Sequence, residues 1–333
     1  MHDGMTLDQH LESEAGRLNM DADLVGLLSD VGKACFEISS LVRHGALAGN
    51  LAAEVGTNVQ DETQKELDVR ANEILIEHVD RGGHAIAIAS EEEEDTHVFA
   101  STQPRAPYYL VFDPLDGSSN IGVNGPVGTI FSALKAKDGG IGAAEEMLQP
   151  GTDQLVAGYV LYGTATEMII TLGRGVQKFT MDPKDGQFYQ TGASVQIAEH
   201  TAEFAINGSN QRHWEAPVQR YISECLAGKE GPRDHDFNTR WVGAMVADVH
   251  RCITRSGIFL YPIDEKTRSK GGRLRLLYEA NPMSMIIEQA GGVSSTGRGR
   301  IMEIQPEGLH QRVPVIMGSK TEVDRLVEYH TNE

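Results

Sequence analysis

The chain has 333 residues, 40% of them hydrophobic, and no run of 18 apolar residues, which argues against a membrane-spanning helix. Its formal net charge is −19, from 48 acidic and 29 basic residues, and a surface this acidic disfavours nucleic acid and anionic lipid as partners. A phosphorylated ligand would therefore need cations concentrated locally, either as a metal ion or as clustered Arg and Lys.

The cysteines and the N-terminus indicate a cytoplasmic protein. The three cysteines are far apart and odd in number, so they form neither a zinc pattern nor a disulfide framework. The residues after Met1 lack the basic and then apolar pattern of a secretory signal. We therefore expect free thiols in a reducing compartment.

The first half of the chain is predicted to begin with helices and to continue mainly as sheet. Apolar residues at helical spacing predict one helix over residues 23–43 and, after a Gly-rich loop at 45–56, a second over 63–79. Two short apolar strands are predicted at 85–89 and 108–112, each followed by acidic residues. Three further strands, expected to form one antiparallel sheet, are predicted at 156–162, 167–172 and 176–180.

The pattern changes near residue 200, where we place a boundary between two domains, residues 1–200 and 201–333. The second half alternates helices with short strands. Helices are predicted at 217–226, 243–254, 282–290 and 323–329, and strands at 257–262, 273–278 and 313–318. The two halves together predict a mixed fold with α+β and α/β features.

The strongest chemical signal is the segment D-P-L-D-G-S-S, in which an apolar strand delivers Asp113 and Asp116 at its C-terminal end. Carboxylates suit Mg²⁺, which takes oxygen ligands and retains some water. Gly117, Ser118 and Ser119 then offer backbone N–H groups and hydroxyls to a phosphate. Asp, Pro and Gly also form good turns, so the segment alone fits an ordinary turn as well as a metal site.

A second acidic strand end favours the metal site. The strand predicted at 85–89 leads into Glu91 and Glu92, and two adjacent strands that both end in acids form an anionic pocket that a cation stabilises. We therefore predict that Glu91 and Glu92 are metal ligands. The residues that follow, Glu93, Glu94 and Asp95, are expected to form a solvated acidic loop.

The third signal lies in residues 273–283. Basic and apolar residues alternate along the predicted strand, which places Arg273 and Arg275 on one face, and Glu279 follows just before a helix. Arginines beside a metal-binding acid provide what a bisphosphate requires. Taken alone, the two arginines also fit an ordinary edge strand.

These segments resemble class I fructose-1,6-bisphosphatases. The resemblance rests on D-P-L-D-G-S-S, on S-E-E before it, and on L-R-L-L-Y-E-x-N-P-M at 274–283. Other matching segments are N-V at 58–59 before L-D-V at 67–69, G-T-I-F at 128–131, V-A-D-V-H-R at 246–251 and G-I-F-L-Y-P at 257–262. They occur in the family's order over nearly the whole chain, whereas D-P-x-D-G-[ST] alone is shared with the inositol monophosphatase superfamily.

The resemblance implies a layered α-β-α-β-α fold and metal-dependent hydrolysis of fructose 1,6-bisphosphate. The N-terminal domain would hold Mg²⁺, for which Mn²⁺ can substitute, and the C-terminal domain would bind the sugar phosphate. Asp68 and Glu92 would orient and deprotonate the attacking water. The implied metal ligands are Glu91, Glu92, Asp113, the Leu115 carbonyl, Asp116 and Glu279, with Asp113 bridging two ions.

The resemblance also implies how the substrate binds. The 1-phosphate would contact Asp116, Gly117, Ser118 and Ser119, with Arg275 nearby; the distal end would contact Asn207, Arg240, Trp241, Tyr261 and Arg273. Arg240 would reach the neighbouring subunit's site in a homo-oligomer, which we expect to be a tetramer.

Several positions depart from the family. Trp241 and Asn210 occupy positions where Tyr is usual, and Arg273 occupies one where Lys is usual. Trp keeps an N–H donor and Arg keeps the positive charge, so we expect phosphate binding to survive, whereas the discrimination of sugar length is in doubt. We therefore expect some hydrolysis of sedoheptulose 1,7-bisphosphate. In the family's mobile loop, Asp61-Glu62 replaces Gly-Asp, and Glu62 could act as a third-metal ligand.

AMP inhibits many members of this family by binding at the start of the first long helix. Residues 21–25 align with that site but lack its two threonines and its glycine, and Asp21 stands where the phosphate would dock. Pro107 replaces the usual Lys and Lys135 the usual Arg, although Tyr108 remains. We expect insensitivity to AMP, with Asp21 acting as the helix N-cap.

Two other classes stay open. An inositol-phosphate or nucleotide-phosphate phosphatase of the same superfamily is disfavoured by the strand that carries Arg273 and Arg275. A non-enzymatic acidic cation-binding module does not account for Ser118, Ser119 and the arginines occurring together with Asp68. The pathway, sugar synthesis or carbon fixation, is not decided by the sequence.

Overall fold

A computed structural model of the chain describes residues 4–57, 63–100, 106–137 and 139–332. These residues form eight α-helices: α1 Leu7–Leu18, α2 Ala22–His44, α3 Glu66–Gly82, α4 Ala144–Met147, α5 Ala216–Ala227, α6 Met245–Arg255, α7 Asn281–Gln289 and α8 Lys320–Thr331. Within the described ranges no helix combines the length and the apolar character needed to cross a membrane.

The strands of the described ranges belong to two large sheets and two short pairs. In chain order they are β1 Glu54–Thr57, β2 Thr63–Lys65, β3 Ala87–Ser90, β4 His97–Val98, β5 Tyr108–Asp116, β6 Val127–Lys135, β7 Val156–Tyr162, β8 Thr166–Thr171, β9 Gln177–Met181, β10 Phe188–Gly192, β11 Glu203–Ile206, β12 Asn238–Thr239, β13 Ile258–Tyr261, β14 Leu274–Arg275, β15 Val293–Ser295, β16 Arg312–Val313 and β17 Val315–Gly318. The large sheets have the orders β10-β9-β8-β7-β6-β5-β3-β4 and β12-β11-β13-β17-β15. The short pairs are β1-β2 and β14-β16.

Buried side chains arrange these elements in five layers. Apolar residues of α1, α2 and α3 pack on one face of the eight-stranded sheet. Helices α6 and α7 fill the space between the other face of that sheet and the five-stranded sheet. Helices α5 and α8 cover the far side of the five-stranded sheet. The α-β-α-β-α architecture expected from the sequence is therefore confirmed.

Most predicted elements lie where the sequence places them. The helix predicted at 23–43 is α2, and its N-cap is Asp21, whose Oδ1 accepts a hydrogen bond from the Leu24 N–H at 2.9 Å. The strands predicted at 156–162, 167–172 and 176–180 are β7, β8 and β9, which pair antiparallel. The eight-stranded sheet ends at Gly192 and the five-stranded sheet begins at Glu203, but the domain boundary near residue 200 stays a prediction.

Some predicted bounds differ from the observed ones, and in four elements the difference is a change of secondary structure or a longer or divided strand. The helix predicted at 63–79 begins only after β2, and the strand predicted at 108–112 continues through the acidic segment to Asp116. The strand predicted at 273–278 is two residues long, because the chain then winds into a π-helical turn, Leu276–Ala280. Pro314, which lacks an N–H, separates the strand predicted at 313–318 into β16 and β17.

Candidate active site

A cleft of about 390 Å³ opens between the two large sheets and gathers most of the predicted site residues. Those that line it are Asp68, Glu91, Glu92, Asp113, Leu115, Asp116, Gly117, Ser118, Ser119, Asn207, Trp241, Tyr261, Arg273, Arg275 and Glu279. Arg240 does not line this cleft: it is exposed, and its Nη1 donates to the Thr239 carbonyl at 2.7 Å. The predicted loop residues Asn58, Val59, Asp61 and Glu62 lie outside the described part of the chain.

A bulge in β5 shapes the acidic segment. The ladder pairs Asp113 with Ile130 and Asp116 with Gly128, so Pro114 and Leu115 together face a single residue of β6, Thr129. The Thr129 hydroxyl donates to the Pro114 carbonyl at 2.9 Å, and the Leu115 N–H donates to Asp113 Oδ1 at 2.9 Å. The segment is therefore a bulged strand rather than a terminal turn.

The second acidic strand end lies beside the first. Strand β3 runs parallel to β5, and the Glu91 N–H donates to the Phe112 carbonyl at 3.2 Å. Glu92 Oε2 accepts from Gln64 Nε2 at 2.6 Å. The adjacency expected from the sequence is confirmed, because parallel strands bring their C-terminal ends to one edge.

The solvated acidic loop is confirmed for only two of its three residues. Glu94 and Asp95 are exposed, but Glu93 is partly buried and its Oε1 accepts from Asn72 Nδ2 at 2.7 Å. Asn72 lies one helical turn beyond Asp68 on α3. The expectation for Glu93 was wrong because the sequence does not reveal the amide that approaches from this helix.

Glu279 enters the cleft from the π-helical turn after β14. Its Oε2 accepts from the backbone N–H of Arg275 at 2.5 Å, and the Arg275 guanidinium lies 3.7 Å from the same carboxylate. Carboxylate oxygens of Asp113, Asp116 and Glu279 all lie within 4.8 Å of one another. Three carboxylates at that spacing, two of them buried, can surround a single cation.

The electrostatics of the cluster favour a bound cation. Burial, reinforced by neighbouring carboxylates, raises the pKa of Asp113 well above its usual value. Burial likewise raises the pKa of Asp116 to about 7 and that of Glu279 to about 8. The Arg275 guanidinium opposes these shifts, but its single positive charge does not balance the carboxylates of the cluster. The donor set therefore fits a divalent metal ion.

Asp68, at the start of α3, presents an oxygen without a hydrogen-bond partner among the described residues. Its Oδ2 accepts from the Lys65 N–H at 2.7 Å, whereas the buried Oδ1 accepts from no group described here. Burial, followed by the charges of Glu92 and Glu91, raises the pKa of Asp68 to about 8. A buried oxygen of this kind needs a donor, and a water molecule in the cleft would supply one.

The loop after Asp116 is fixed by close packing. Gly117 has φ 84°, and a Cβ at this position would lie 2.4 Å from the Cβ of Ala244. Asp116 Oδ2 accepts from the Val246 N–H at 2.6 Å, which ties the loop to α6. Ser118 and Ser119 then begin a short 3₁₀ turn, whose first N–H groups have no acceptor within it.

Aromatic rings form the distal wall of the cleft. Trp241 stacks on Phe259, with ring centroids 6.0 Å apart and an interplanar angle of 4°, and meets Tyr261 edge-on at 5.8 Å. Asn210 does not line the cleft, and its Oδ1 accepts from Lys266 Nζ at 3.1 Å.

Among the described residues, sequence reasoning missed four that line the cleft, namely Gly243, Met245, Phe259 and Leu274. The two-residue alternation along β13 places Phe259 on the same side as Tyr261 and could have found it. Gly243 lies in the turn before α6, and Met245 is the first residue of that helix. There the buried carboxylate of Asp248 accepts from the N–H groups of Val242 and Gly243 at 2.9 and 3.0 Å.

Comparison with known proteins gives a consistent result. Residues 5–193 match the family model for the N-terminal domain of fructose-1-6-bisphosphatase, and residues 197–331 match that for its C-terminal domain. The chain is 51% identical, over 99% of both sequences, to the class 1 fructose-1,6-bisphosphatase of Halorhodospira halophila.

Solved structures of Leishmania major fructose-1,6-bisphosphatase are also similar. The holo form is 34% identical with a TM-score of 0.92, covering 99% of this chain and 100% of that one. The apo form is 33% identical with a TM-score of 0.86, covering 98% and 99%.

Proposed function

The chain belongs to the class I fructose-1,6-bisphosphatase family, and from this premise we propose that it hydrolyses D-fructose 1,6-bisphosphate to fructose 6-phosphate and phosphate with Mg²⁺, or Mn²⁺ in its place. The observation that carries the metal requirement is the convergence of Asp113, Asp116 and Glu279 within 4.8 Å in a cleft that also contains Asp68. We expect the protein in the cytoplasm. The pathway that the enzyme serves, gluconeogenesis or carbon fixation, stays open.

The metal ligands in this proposal are Glu91, Glu92, Asp113, the Leu115 carbonyl, Asp116 and Glu279. By the family resemblance Asp113 would be shared between ions, and its burial and closeness to Asp116 and Glu279 support a ligand role. When bound, the ions would lower the pKa of water, neutralise phosphate charge and stabilise the leaving oxygen.

Asp68 and Glu92 are the proposed bases. Asp68 lines the cleft, and its buried Oδ1 lacks a hydrogen-bond partner among the described residues, so it can accept a proton from the attacking water. Glu92 is oriented by the amide of Gln64. Water oxygen would attack phosphorus in line with the sugar oxygen, so that the P–O bond to the sugar breaks as the new bond forms.

The substrate would span the cleft. Gly117, Ser118 and Ser119 would bind the 1-phosphate next to Asp116, with Arg275 nearby, and these groups meet at the acidic end of the cleft. The distal phosphate would contact Asn207, Tyr261 and Arg273, with Trp241 as part of the wall. Arg275 is buried against Glu91, so any contact with phosphate requires that ion pair to rearrange.

Arg240 supports a proposed oligomer. The Arg240 side chain is exposed and does not line the cleft of its own chain, as expected for a residue that contacts the substrate of a neighbouring subunit. We propose a homotetramer, which light scattering of the purified protein tests; a monomer at assay concentration would exclude a contribution from Arg240 in trans.

Phosphate release tests the activity. We expect release from fructose 1,6-bisphosphate with Mg²⁺, none in excess chelator, and little from inositol monophosphate. Faster turnover of inositol monophosphate would favour the related phosphatase, and metal binding without phosphate release would favour a non-enzymatic module.

A further inference from the structure

His310 joins the two segments that carry the proposed metal ligands. One ring nitrogen, Nδ1, lies 2.7 Å from the hydroxyl of Tyr278, the residue before Glu279. The other, Nε2, lies 3.2 Å from the carbonyl oxygen of Glu94, two residues after Glu92. The imidazole therefore bridges the π-helical turn and the acidic loop.

The hydrogen bonds define one tautomer of a neutral ring. The Glu94 carbonyl can only accept, so Nε2 must carry the proton and donate to it. Nδ1 then accepts from the Tyr278 hydroxyl. Burial lowers the pKa of His310, which favours the neutral ring that this arrangement needs.

Both ends of the bridge are anchored. Tyr278 is fully buried in an apolar cluster with residues of β3, β5 and β6, and its ring meets His310 at a centroid distance of 5.9 Å. His310 is placed by the pairing of β14 with β16 and by the Leu276 N–H, which donates to the Gln311 carbonyl at 2.7 Å. The acidic loop is also held by Asn72 of α3, which donates to the Glu93 carboxylate and accepts from the Ser90 hydroxyl.

We propose that His310, with Tyr278, is a positioning residue that sets the distance between Glu279 and the Glu91–Glu92 pair for metal binding. This inference rests on the proposed function, because it assumes that these carboxylates bind the ions. Neither side chain lines the cleft, so neither is a ligand. Residues that orient metal ligands from behind typically change metal affinity about 10- to 100-fold when mutated.

Three variants test the bridge. Tyr278→Phe removes the hydroxyl and keeps the ring, His310→Ala removes the imidazole, and His310→Gln retains one donor and one acceptor. Tyr329→Phe is the matched control, because it also removes a hydrogen-bonded tyrosine hydroxyl, which in this case donates to Glu224 at 2.6 Å and lies far from the cleft. Mn²⁺ binding is measured by electron paramagnetic resonance without substrate, alongside the Mg²⁺ concentration for half-maximal activity and the urea midpoint.

We expect about a tenfold loss of Mn²⁺ affinity in Tyr278→Phe and in His310→Ala, partial recovery in His310→Gln and no loss in Tyr329→Phe. The double variant Tyr278→Phe/His310→Ala should be no weaker than His310→Ala, since both changes break one bridge. Unchanged affinity in both single variants, fully additive losses, or equal losses in the control would overturn the inference. A wild-type protein that binds no Mn²⁺ would instead overturn the proposed function, and this inference with it.

Discussion

Arg275 Nη2 lies 2.5 Å from Glu91 Oε1, and this buried ion pair joins the second half of the chain to the acidic strand end of the first. The side chains are only 5% and 11% exposed. Arg275 Nη1 also lies 3.7 Å from Glu279. One guanidinium thus contacts two proposed metal ligands.

The first prediction follows from this pair. Arg275→Gln leaves the buried carboxylates without their guanidinium, so the metal-free protein should lose about 3–5 kcal/mol of unfolding free energy. Urea unfolding in chelator measures the loss, and saturating Mg²⁺ should recover part of it by binding the native state. Arg273→Gln is the control: Arg273 is exposed, and its replacement should cost much less. If Arg275→Gln lost the same unfolding free energy with and without Mg²⁺, the result would contradict the argument that cations balance the charge of these carboxylates.

The second prediction concerns the carboxylates themselves. Asp113→Asn or Asp116→Asn removes a ligand charge and should reduce kcat below about 0.1% of wild type, a barrier increase of more than about 4 kcal/mol. Mn²⁺ binding should weaken in parallel. Asp95→Asn, an exposed acid in the neighbouring loop, should leave both quantities unchanged. Substantial turnover by Asp113→Asn in excess chelator would refute the metal mechanism.

The sequence predicted which residues meet in the cleft more accurately than it predicted the local structure of the segments that carry them. Carboxylates after two apolar strands indicated the acidic site, and the parallel pairing of β3 with β5 brings these strand ends together. The bulge at Pro114 and Leu115 was not predicted, because D-P-x-D-G is also a turn sequence and pairing with Thr129 decides between the two.

Contacts between the halves of the chain were the least predictable. Arg273 and Arg275 were expected on a regular strand, but the chain leaves the strand after Arg275, and the carboxylate of Glu279 binds the Arg275 N–H. Alternation of residue types does not distinguish these conformations when every residue from Leu274 to Pro282 is buried. The partners of Glu93 and His310 are likewise set by tertiary packing.

The third prediction concerns substrate breadth. Trp241 lies flat against Phe259 where the family usually has Tyr, so an aromatic wall borders the distal end of the cleft. We expect hydrolysis of sedoheptulose 1,7-bisphosphate with a kcat/KM within about a thousandfold, or some 4 kcal/mol, of that for fructose 1,6-bisphosphate. Trp241→Tyr should raise the preference for the six-carbon sugar. A wild-type preference above a thousandfold would exclude the proposed breadth.

The fourth prediction is a pH dependence of stability away from the cleft. A hydrogen bond from His250 and the charge of Lys178 lower the pKa of Glu167 to about 2. Because the folded pKa is below the unfolded one, near 4.5, the stabilisation is complete above that value and is lost as pH falls toward 2. Glu167→Gln should cost about 1–2 kcal/mol at pH 6 and progressively less toward pH 3.5.

Urea unfolding of both proteins across this range measures the difference. Glu77→Gln is the control, because Glu77 is exposed on α3 and its ion pair with Arg81 is exposed too. Glu77→Gln should change the free energy of unfolding by no more than about 0.5 kcal/mol. A cost of Glu167→Gln that grows on acidification would show that the sign of this linkage is wrong.

The last prediction concerns AMP, and it rests on the contact between Tyr108 and Asp21. The Tyr108 hydroxyl donates to Asp21 Oδ2 at 2.6 Å, while Asp21 Oδ1 accepts from the Leu24 N–H at the start of α2. The tyrosine that remains from the family's AMP site is therefore occupied by a carboxylate of the chain itself. Burial raises the pKa of Asp21, but its hydrogen bonds, first that from Tyr108, lower it overall, and the charge of Lys135 adds to this. Lys135, which replaces the usual Arg, is exposed.

A nucleotide phosphate at this helix start would meet a negative charge and find the capping position filled. Losing several hydroxyl and charged donors, at about 1–3 kcal/mol each, should weaken AMP binding by orders of magnitude. We expect no inhibition at micromolar AMP in saturating Mg²⁺, measured as a full inhibition curve. Asp21→Ala should cost about 1 kcal/mol of stability through the lost cap without making the enzyme sensitive, since the other donors stay absent. Half-inhibition at low micromolar AMP would show that residues 21–25 do not correspond to the site or that AMP binds elsewhere.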